Sequence, residues 1–322
     1  MKFDALFEAG FKELGARFFL VAFLPALLIV LLIVALHASG APAQAPSWLR
    51  FSKALSDFDI TKLVGLVLVV LVISVISMPL QESLVRVFEG YWGAISTTKW
   101  FGQLFLNWQK SRRASLVFTV ENVPANPTPK ELSIINSAAR RLSKYYPTEP
   151  RLLPTALGNV LRAAEDLATG RYGLDSVVIW PRLYPFIGPG LGRLVDSARN
   201  QLDISVRLIP TFVACAMISF WFLQHYGWWL LLPCGFLAVA ALSYRASVEA
   251  AAAFGVAMNT AIDLYRFDML KGLHMPMPSN CSDERANNKA ISSFLRQGVP
   301  HGILYAHPKS DELEKSKIEK GD

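Results

Sequence analysis

Residues 208–244 read LIPTFVACAMISFWFLQHYGWWLLLPCGFLAVAALSY and contain no Asp, Glu, Lys or Arg. A helix needs about 20 apolar residues to cross a hydrocarbon core roughly 30 Å thick. The 37 residues of this stretch are therefore too many for one span and suit two. A polar interruption at 225–227 predicts a tight turn between spans at 208–224 and 228–244. The stretch predicts a transmembrane helical hairpin.

Aromatic and proline residues fit this hairpin. Trp228 and Trp229 follow the turn, and tryptophan is enriched where a membrane helix meets the water interface. Pro210 and Pro233 are each expected in the first turn of a span, where the missing proline N–H leaves no backbone carbonyl unpaired. Both features agree with two spans joined by a short turn.

The composition of the whole chain also indicates a membrane protein. Of its 322 residues, 52% are hydrophobic and only 18% are charged, whereas soluble proteins have about 25% charged residues. The net charge is +7. Cytoplasmic loops of membrane proteins collect Lys and Arg, so this charge predicts no nucleic-acid partner. The three cysteines, Cys215, Cys234 and Cys281, predict no structural disulfide.

A first hairpin is predicted near the N-terminus. Its spans are residues 18–36 and 63–81, and Pro25 predicts a kink in the first span. The loop at 37–62 contains a short amphipathic segment. Ahead of the hairpin, residues 1–17 place apolar side chains on one helical face, which predicts an amphipathic helix lying on the membrane surface.

A cleaved secretory signal is the alternative interpretation of the first span. Ala41, Pro42 and Ala43 have the small-residue form of a cleavage site. Acidic residues before the span, and an apolar run longer than the roughly 7–15 residues usual in a signal, count against cleavage. Cleavage would leave the topology of the later spans unchanged.

The distribution of basic residues predicts orientation. Lys and Arg number three before the first span, three in 37–62, none in 225–227, sixteen in 82–207 and ten in 245–322. Cytoplasmic flanks of membrane helices are enriched in Lys and Arg. We therefore predict a multi-pass protein of the cell membrane with both termini and residues 82–207 in the cytoplasm.

The regions outside the spans are predicted to be helical. Residues 82–207 form a mainly helical cytoplasmic domain, 245–306 a helical C-terminal region, and 307–322 a charged disordered tail. Apolar periodicity through 191–206 and 246–271 predicts that the third and fourth spans continue as long helices.

Periodicity at 84–108 likewise predicts that the second span continues as a helix into the cytoplasm. Proline and glycine predict the limits of shorter elements. These elements are a helix at 130–145, a helix from Pro154 to Gly170, an extended piece at 177–180, and a last helix that Ser282 caps and Gly298 ends.

Three polar residues on the second span are candidates for a pore or gate. Ser74 and Ser77 are polar side chains inside this span, and Glu82 follows directly at its inner end. In a symmetric oligomer the Glu82 carboxylates would form a charged ring. Simple pairing of Glu82 with Arg86 one turn later is the alternative that we favour.

A polar cluster is predicted in the cytoplasmic domain. Carboxylates close together could act as acid and base, but surface salt bridges such as an Arg162–Asp166 pair explain the same residues more simply. The cluster comprises Asn159, Arg162, Glu165, Asp166, Arg171, Asp175 and Arg182.

No cofactor, metal site or catalytic residue is predicted. His274, Met275, Met277 and Cys281 gather soft ligands that could hold Cu(I), but they have no metal-site spacing and a proline-rich loop explains them better. Phosphate-loop, nucleophile-elbow and zinc-protease motifs are absent from the sequence.

Three functions remain open. The first is an oligomeric channel, or a membrane-perturbing effector, gated by its cytoplasmic domain. The second is a membrane-anchored scaffold that recruits a cytoplasmic protein partner, and the third is an enzyme at the inner leaflet. The predicted layout resembles that of bestrophin-type anion channels, in which long helices extend inward from the membrane. A shared layout does not establish a function.

Overall fold

The computed structural model describes residues 15, 18–92, 98–298, 303, 305 and 306, and every regular element among them is helical. Apart from Gly15, the predicted amphipathic helix at 1–17 lies outside the described residues, as does the predicted tail at 307–322. In chain order the helices are α1 (Phe19–Ala38), α2 (Trp48–Ser56), α3 (Ile60–Glu89), α4 (Thr98–Glu121), α5 (Pro129–Tyr145), α6 (Ala156–Tyr172), α7 (Ser176–Leu183), α8 (Pro189–Leu223), α9 (Leu231–Gly272) and α10 (Cys281–Gln297).

Four helices are long and apolar enough to cross a membrane. They are α1, α3, α8 and α9, the last with the 3-10 turn Gly227–Leu230 that precedes it. The prediction of an all-helical chain with four such helices is confirmed. The predicted break at 225–227 is also confirmed, because α8 ends at Leu223. In the turn that follows, Trp228 stacks on Trp229.

The chain divides into two compact units. The first unit comprises residues up to Ser111 together with 153–158 and 197–251, and the second comprises 112–152, 159–196 and the chain from Ala252 onward. Helices α4, α6, α8 and α9 each contribute residues to both units.

Among the four apolar helices, α8 has the largest buried share of its apolar window. Of the apolar window of α8, 44% is buried within the chain, against 11% for α3, so α3 leaves most of its apolar surface uncovered. Val70 of α3 is fully buried against Ala26 and Val30 of α1. Leu36 of α1 packs with Leu223 at the end of α8.

The end of α3 docks on the beginning of α6 within the first unit. The Thr155 hydroxyl donates to Glu89 O at 2.8 Å and accepts from Gly158 N at 3.1 Å. Ala156 N donates to the Tyr244 hydroxyl of α9 at 3.1 Å. A Cβ on Gly158 would lie 2.0 Å from Glu89 O, so this α3–α6 contact requires glycine.

The second unit is a helical assembly held by buried polar contacts. Asn259 of α9 donates through Nδ2 to Ala164 O of α6 and to Gly255 O, both at 2.9 Å. A Cβ on Gly255 would lie 2.5 Å from Ala164 Cβ, which shows how closely α6 and α9 cross. Between α9 and α10, Arg266 pairs with Glu284 at 2.8 Å, and both side chains are largely buried.

Three predicted local structures are wrong. Residues 177–180 are helical, because the Asp175 side chain accepts hydrogen bonds from Val177 N and Val178 N and so caps α7. The second span does not run on unbroken, because Gly90 adopts a left-handed conformation at φ +96° and ends α3. Pro210 lies in the middle of α8, which already begins at Pro189.

Several helix ends differ from their predicted positions. Helix α6 runs past Gly170 and stops before Gly173, which has φ +74°. Asn280, and not Ser282, caps α10 by accepting a hydrogen bond from Asp283 N at 2.9 Å, while Gly298 ends it as predicted. Near Pro25, α1 opens with a π-helical turn at Phe19–Phe23. Both a proline and a π-helical turn are known causes of helix kinks.

Candidate functional sites

The three predicted pore or gate residues lie in different environments. Ser74 is fully buried and its hydroxyl donates to Val70 O at 2.6 Å. Ser77 is half-buried and donates to Ser74 O at 3.0 Å. Glu82 is exposed. A role for these residues in a pore stays a prediction, and the burial of Ser74 indicates that it packs within its own chain.

A stripe of buried polar residues runs along α8. Because one residue turns a helix by about 100°, residues four apart differ in direction by about 40°, and the stripe winds slowly around the helix axis. Every member is at most 7% exposed. Its members, spaced four residues apart, are Asp203, Arg207, Thr211, Cys215 and Ser219.

The start of this stripe meets α3 where the buried side chains of Gln81 and Asp203 lie with the partly exposed Arg199, a contact that we call the buried polar junction. Gln81 Nε2 donates to Asp203 O at 3.0 Å. Arg199 Nε lies 3.4 Å from Asp203 Oδ1, an ion pair in which the carboxylate is almost fully buried. Arg207, one turn further along α8, is only 7% exposed.

The Gln81 side chain is only half satisfied in this junction. Its Oε1 is buried and accepts no hydrogen bond from any described residue. An unsatisfied buried acceptor destabilises a structure by about 1–3 kcal/mol.

Sequence reasoning did not identify this junction. Asp196, Arg199, Asp203 and Arg207 follow one another at three- and four-residue steps along one side of α8, but nothing in this spacing signals burial. Gln81 lies 122 residues away from Asp203, and only their contact in the fold connects them. The usable signal was position, because Asp203 and Arg207 directly precede the apolar run and ionisable residues at such places face a bundle interior.

Part of the predicted polar cluster forms an ion-pair network in the second unit. Arg151 binds Glu165 through Nη2 at 2.9 Å and also pairs with Asp166. Asp166 accepts a further hydrogen bond from Thr148 N at 3.1 Å. Arg162 donates to Arg151 O at 2.7 Å, so Arg151, which the prediction omitted, is the centre of the network.

Burial raises the pKa of the Glu165 carboxyl above its usual value, and the charge of Arg151 partly offsets this effect. Both carboxylates are thus engaged by one guanidinium. The network ties the segment before α6 to the α6 surface, as expected for structural salt bridges.

The other members of the predicted cluster lie at separate places. Asp175 caps α7 and pairs with Arg296 of α10. Arg182 donates to Val178 O within α7 at 2.6 Å. Asn159 is fully buried. Arg171 pairs with Asp263 at 3.5 Å. The seven residues are therefore not one site.

Arg171 belongs instead to a basic cleft in the second unit. The cleft has a volume of about 330 Å³ and lies between α5, α6 and α9. Its lining contains three basic residues and one carboxylate, and the rest is small, apolar or hydroxylic. The lining residues are Arg140, Ser143, Lys144, Val160, Ala164, Leu167, Arg171, Ala252, Gly255, Val256, Asn259, Thr260 and Asp263.

The sequence contained a weak signal for this cleft. Arg140 and Lys144 are four residues apart and so share one face of α5, and Asn259 and Asp263 do the same on α9. Such pairs are common on helix surfaces, so spacing alone cannot distinguish a cleft from a solvated face.

No family model, curated protein or solved structure shows a significant match to this chain.

Proposed function

We propose that this protein is an oligomeric membrane channel whose inner gate is the buried polar junction and whose second unit controls opening. The observation that carries the proposal is the almost complete burial of Asp203 and Arg207 beside the apolar part of α8. Ionisable residues at such positions are costly and mark ion paths and gates in membrane proteins.

In this proposal the junction has two states, a closed state without water and an open state that water enters. Closed, it holds α3 to α8 through the hydrogen bond from Gln81 to Asp203 O, and no described residue donates to Gln81 Oε1. Opening would admit water, which would solvate this oxygen and the two charged side chains. The apolar residues above the junction then form a hydrophobic constriction that conducts only when it is wetted.

The continuity of two helices supports control by the second unit. Helix α8 is uninterrupted over 35 residues and α9 over 42, and each has residues in both units. A change of conformation at residues 252–263 of α9 therefore acts on the same helix that carries the fourth apolar stretch.

The uncovered surface of α3 supports an oligomer. Val64, Leu68, Val72 and Ile76 are each more than half exposed and follow one another at four-residue steps. Small shifts of such a surface against a neighbouring copy are the usual way in which symmetric channels open. The mass of the protein in a lipid nanodisc tests this step, and a mass of a single 35.7 kDa chain would contradict the channel.

Ion flux from proteoliposomes tests the gate. Gln81→Glu places a second carboxylate beside Asp203, so like-charge repulsion should open the junction and raise basal flux. Gln81→Leu removes the unsatisfied oxygen and keeps the junction dry, so it should lower flux. Ser83→Ala is the control, because Ser83 is exposed on the same turn and lies outside the junction, and it should leave flux unchanged. Equal flux in all four proteins would refute the assignment of the gate.

A further inference from the structure

We propose that the basic cleft binds a nucleoside phosphate whose base carries an exocyclic amine. Such a ligand has an anionic end, a flat apolar body and an N–H donor, and the cleft has a complementary feature for each. The binding does not rest on the proposed channel function.

The rim of the cleft is suited to a phosphate. Arg140 and Lys144 stand one turn apart on α5 and are exposed, and Arg171 faces them from α6. The single lining carboxylate, Asp263, already accepts a hydrogen bond from the Tyr172 hydroxyl at 2.7 Å and pairs with Arg171. The lining thus has a net charge of +2, from three cations and one anion. Arginine and lysine are the usual phosphate ligands in proteins.

The floor of the cleft provides one hydrogen-bond acceptor. Asn259 is 7% exposed, and both hydrogens of its Nδ2 are used by Ala164 O and Gly255 O. These two bonds fix the orientation of the amide. Its Oδ1 accepts no hydrogen bond from any described residue, so it can accept one from a ligand amine. A ligand without that donor would leave this acceptor unpaired and bind more weakly.

The apolar lining and the volume of the cleft also suit a nucleoside phosphate. Val160, Leu167 and Val256 contribute apolar surface to the lining, on which a planar base can pack. The volume of about 330 Å³ falls at the lower end of the range usual for small-molecule sites, which is about 300–1,000 Å³. A nucleoside monophosphate is therefore favoured over a dinucleotide.

Isothermal titration calorimetry on the full chain in nanodiscs tests this proposal, with AMP as the probe. IMP, which lacks the exocyclic amine, and ribose 5-phosphate, which lacks the base, should each bind at least about tenfold more weakly than AMP, because each lacks the donor for Asn259 Oδ1. Raising the salt concentration should weaken AMP binding, because screening reduces the attraction of exposed cations for phosphate.

Variants of α5 provide the matched comparison. Arg140→Gln with Lys144→Gln should reduce AMP affinity by roughly tenfold or more, since hydrogen bonds to charged groups are the strong ones. Lys130→Gln removes an exposed charge from the same helix outside the cleft, and should leave the affinity unchanged. Absence of AMP binding, equal loss in both variants, or equal affinity for AMP and IMP would each overturn the proposal.

Discussion

An alanine at position 158 would place its Cβ 2.0 Å from Glu89 O and 2.7 Å from Leu153 Cδ1. Non-bonded heavy atoms pack at about 3.5–4.0 Å, so the Glu89 carbonyl would have to move by roughly 1.5 Å. This carbonyl belongs to the backbone at the end of α3, and the Thr155 hydroxyl already holds it at 2.8 Å. No change of side-chain rotamer at Glu89 can relieve the clash.

The net effect of Gly158→Ala is a sum of opposing contributions. Overpacking destabilises by about 1–3 kcal/mol, and loss of the Thr155–Glu89 hydrogen bond adds about 0.5–1.5 kcal/mol. Alanine is the better helix former by about 1 kcal/mol at most. We therefore expect the free energy of unfolding to fall by roughly 1–3 kcal/mol.

The matched control is Gly170→Ala in the same helix, where an added Cβ would meet no atom within 4 Å. Only the gain in helix propensity remains there, so this variant should be more stable than the parent by up to about 1 kcal/mol. Thermal unfolding of both variants in nanodiscs, followed by circular dichroism, measures the difference. A Gly158→Ala protein that unfolds at or above the temperature of Gly170→Ala would refute the close approach of α6 to Glu89.

Further predictions concern the second unit. Leu174→Ala should destabilise the protein by about 2–5 kcal/mol because its side chain is fully buried, while Leu264→Ala at an exposed position should change little in the same unfolding assay. Hydrogen bonds from Thr128 lower the pKa of the Glu131 carboxyl below its usual value of 4.5. The ionised carboxylate therefore stabilises the folded state above pH 4.5, and this stabilisation is lost as the pH falls through the lowered pKa. The stability difference between the parent and Thr128→Ala should therefore shrink in acid. Burial raises the pKa of the Glu165 carboxyl above its usual value of 4.5, so the folded state loses stability as the pH rises just above 4.5. Glu165→Gln should remove this pH dependence when the free energy of unfolding is measured at a series of pH values.

Much of the helical architecture could be predicted because its signals are local. An uncharged run such as 208–244 is long enough to fix two apolar helices. Helix α5 was predicted almost to the residue from the prolines on either side of it. The capping box of Thr128 and Glu131 at its start is a further local signal that the prediction did not use.

The misjudged elements depend on contacts that are not local. The β-branched residues at 177–178 favour an extended chain, yet Asp175 caps a helix there and its own N–H donates to Ser292 Oγ of α10 at 3.1 Å. The polar junction and the basic cleft depend in the same way on residues far apart in sequence. Residue type identifies Asp203 or Asn259 as polar, but only packing determines that each is buried.

The three cysteines occupy three different environments. Labelling of their thiols can therefore report the topology of the unmodified chain. Cys281 is exposed at the start of α10, Cys234 is exposed within the apolar part of α9, and Cys215 is buried in α8. A charged maleimide should label Cys281 alone when α9 is in lipid, a lipophilic maleimide should add Cys234, and Cys215 should react only after denaturation. Counting the attached mass tags on intact cells and on opened vesicles therefore maps which side of the membrane α10 occupies, without any engineered thiol.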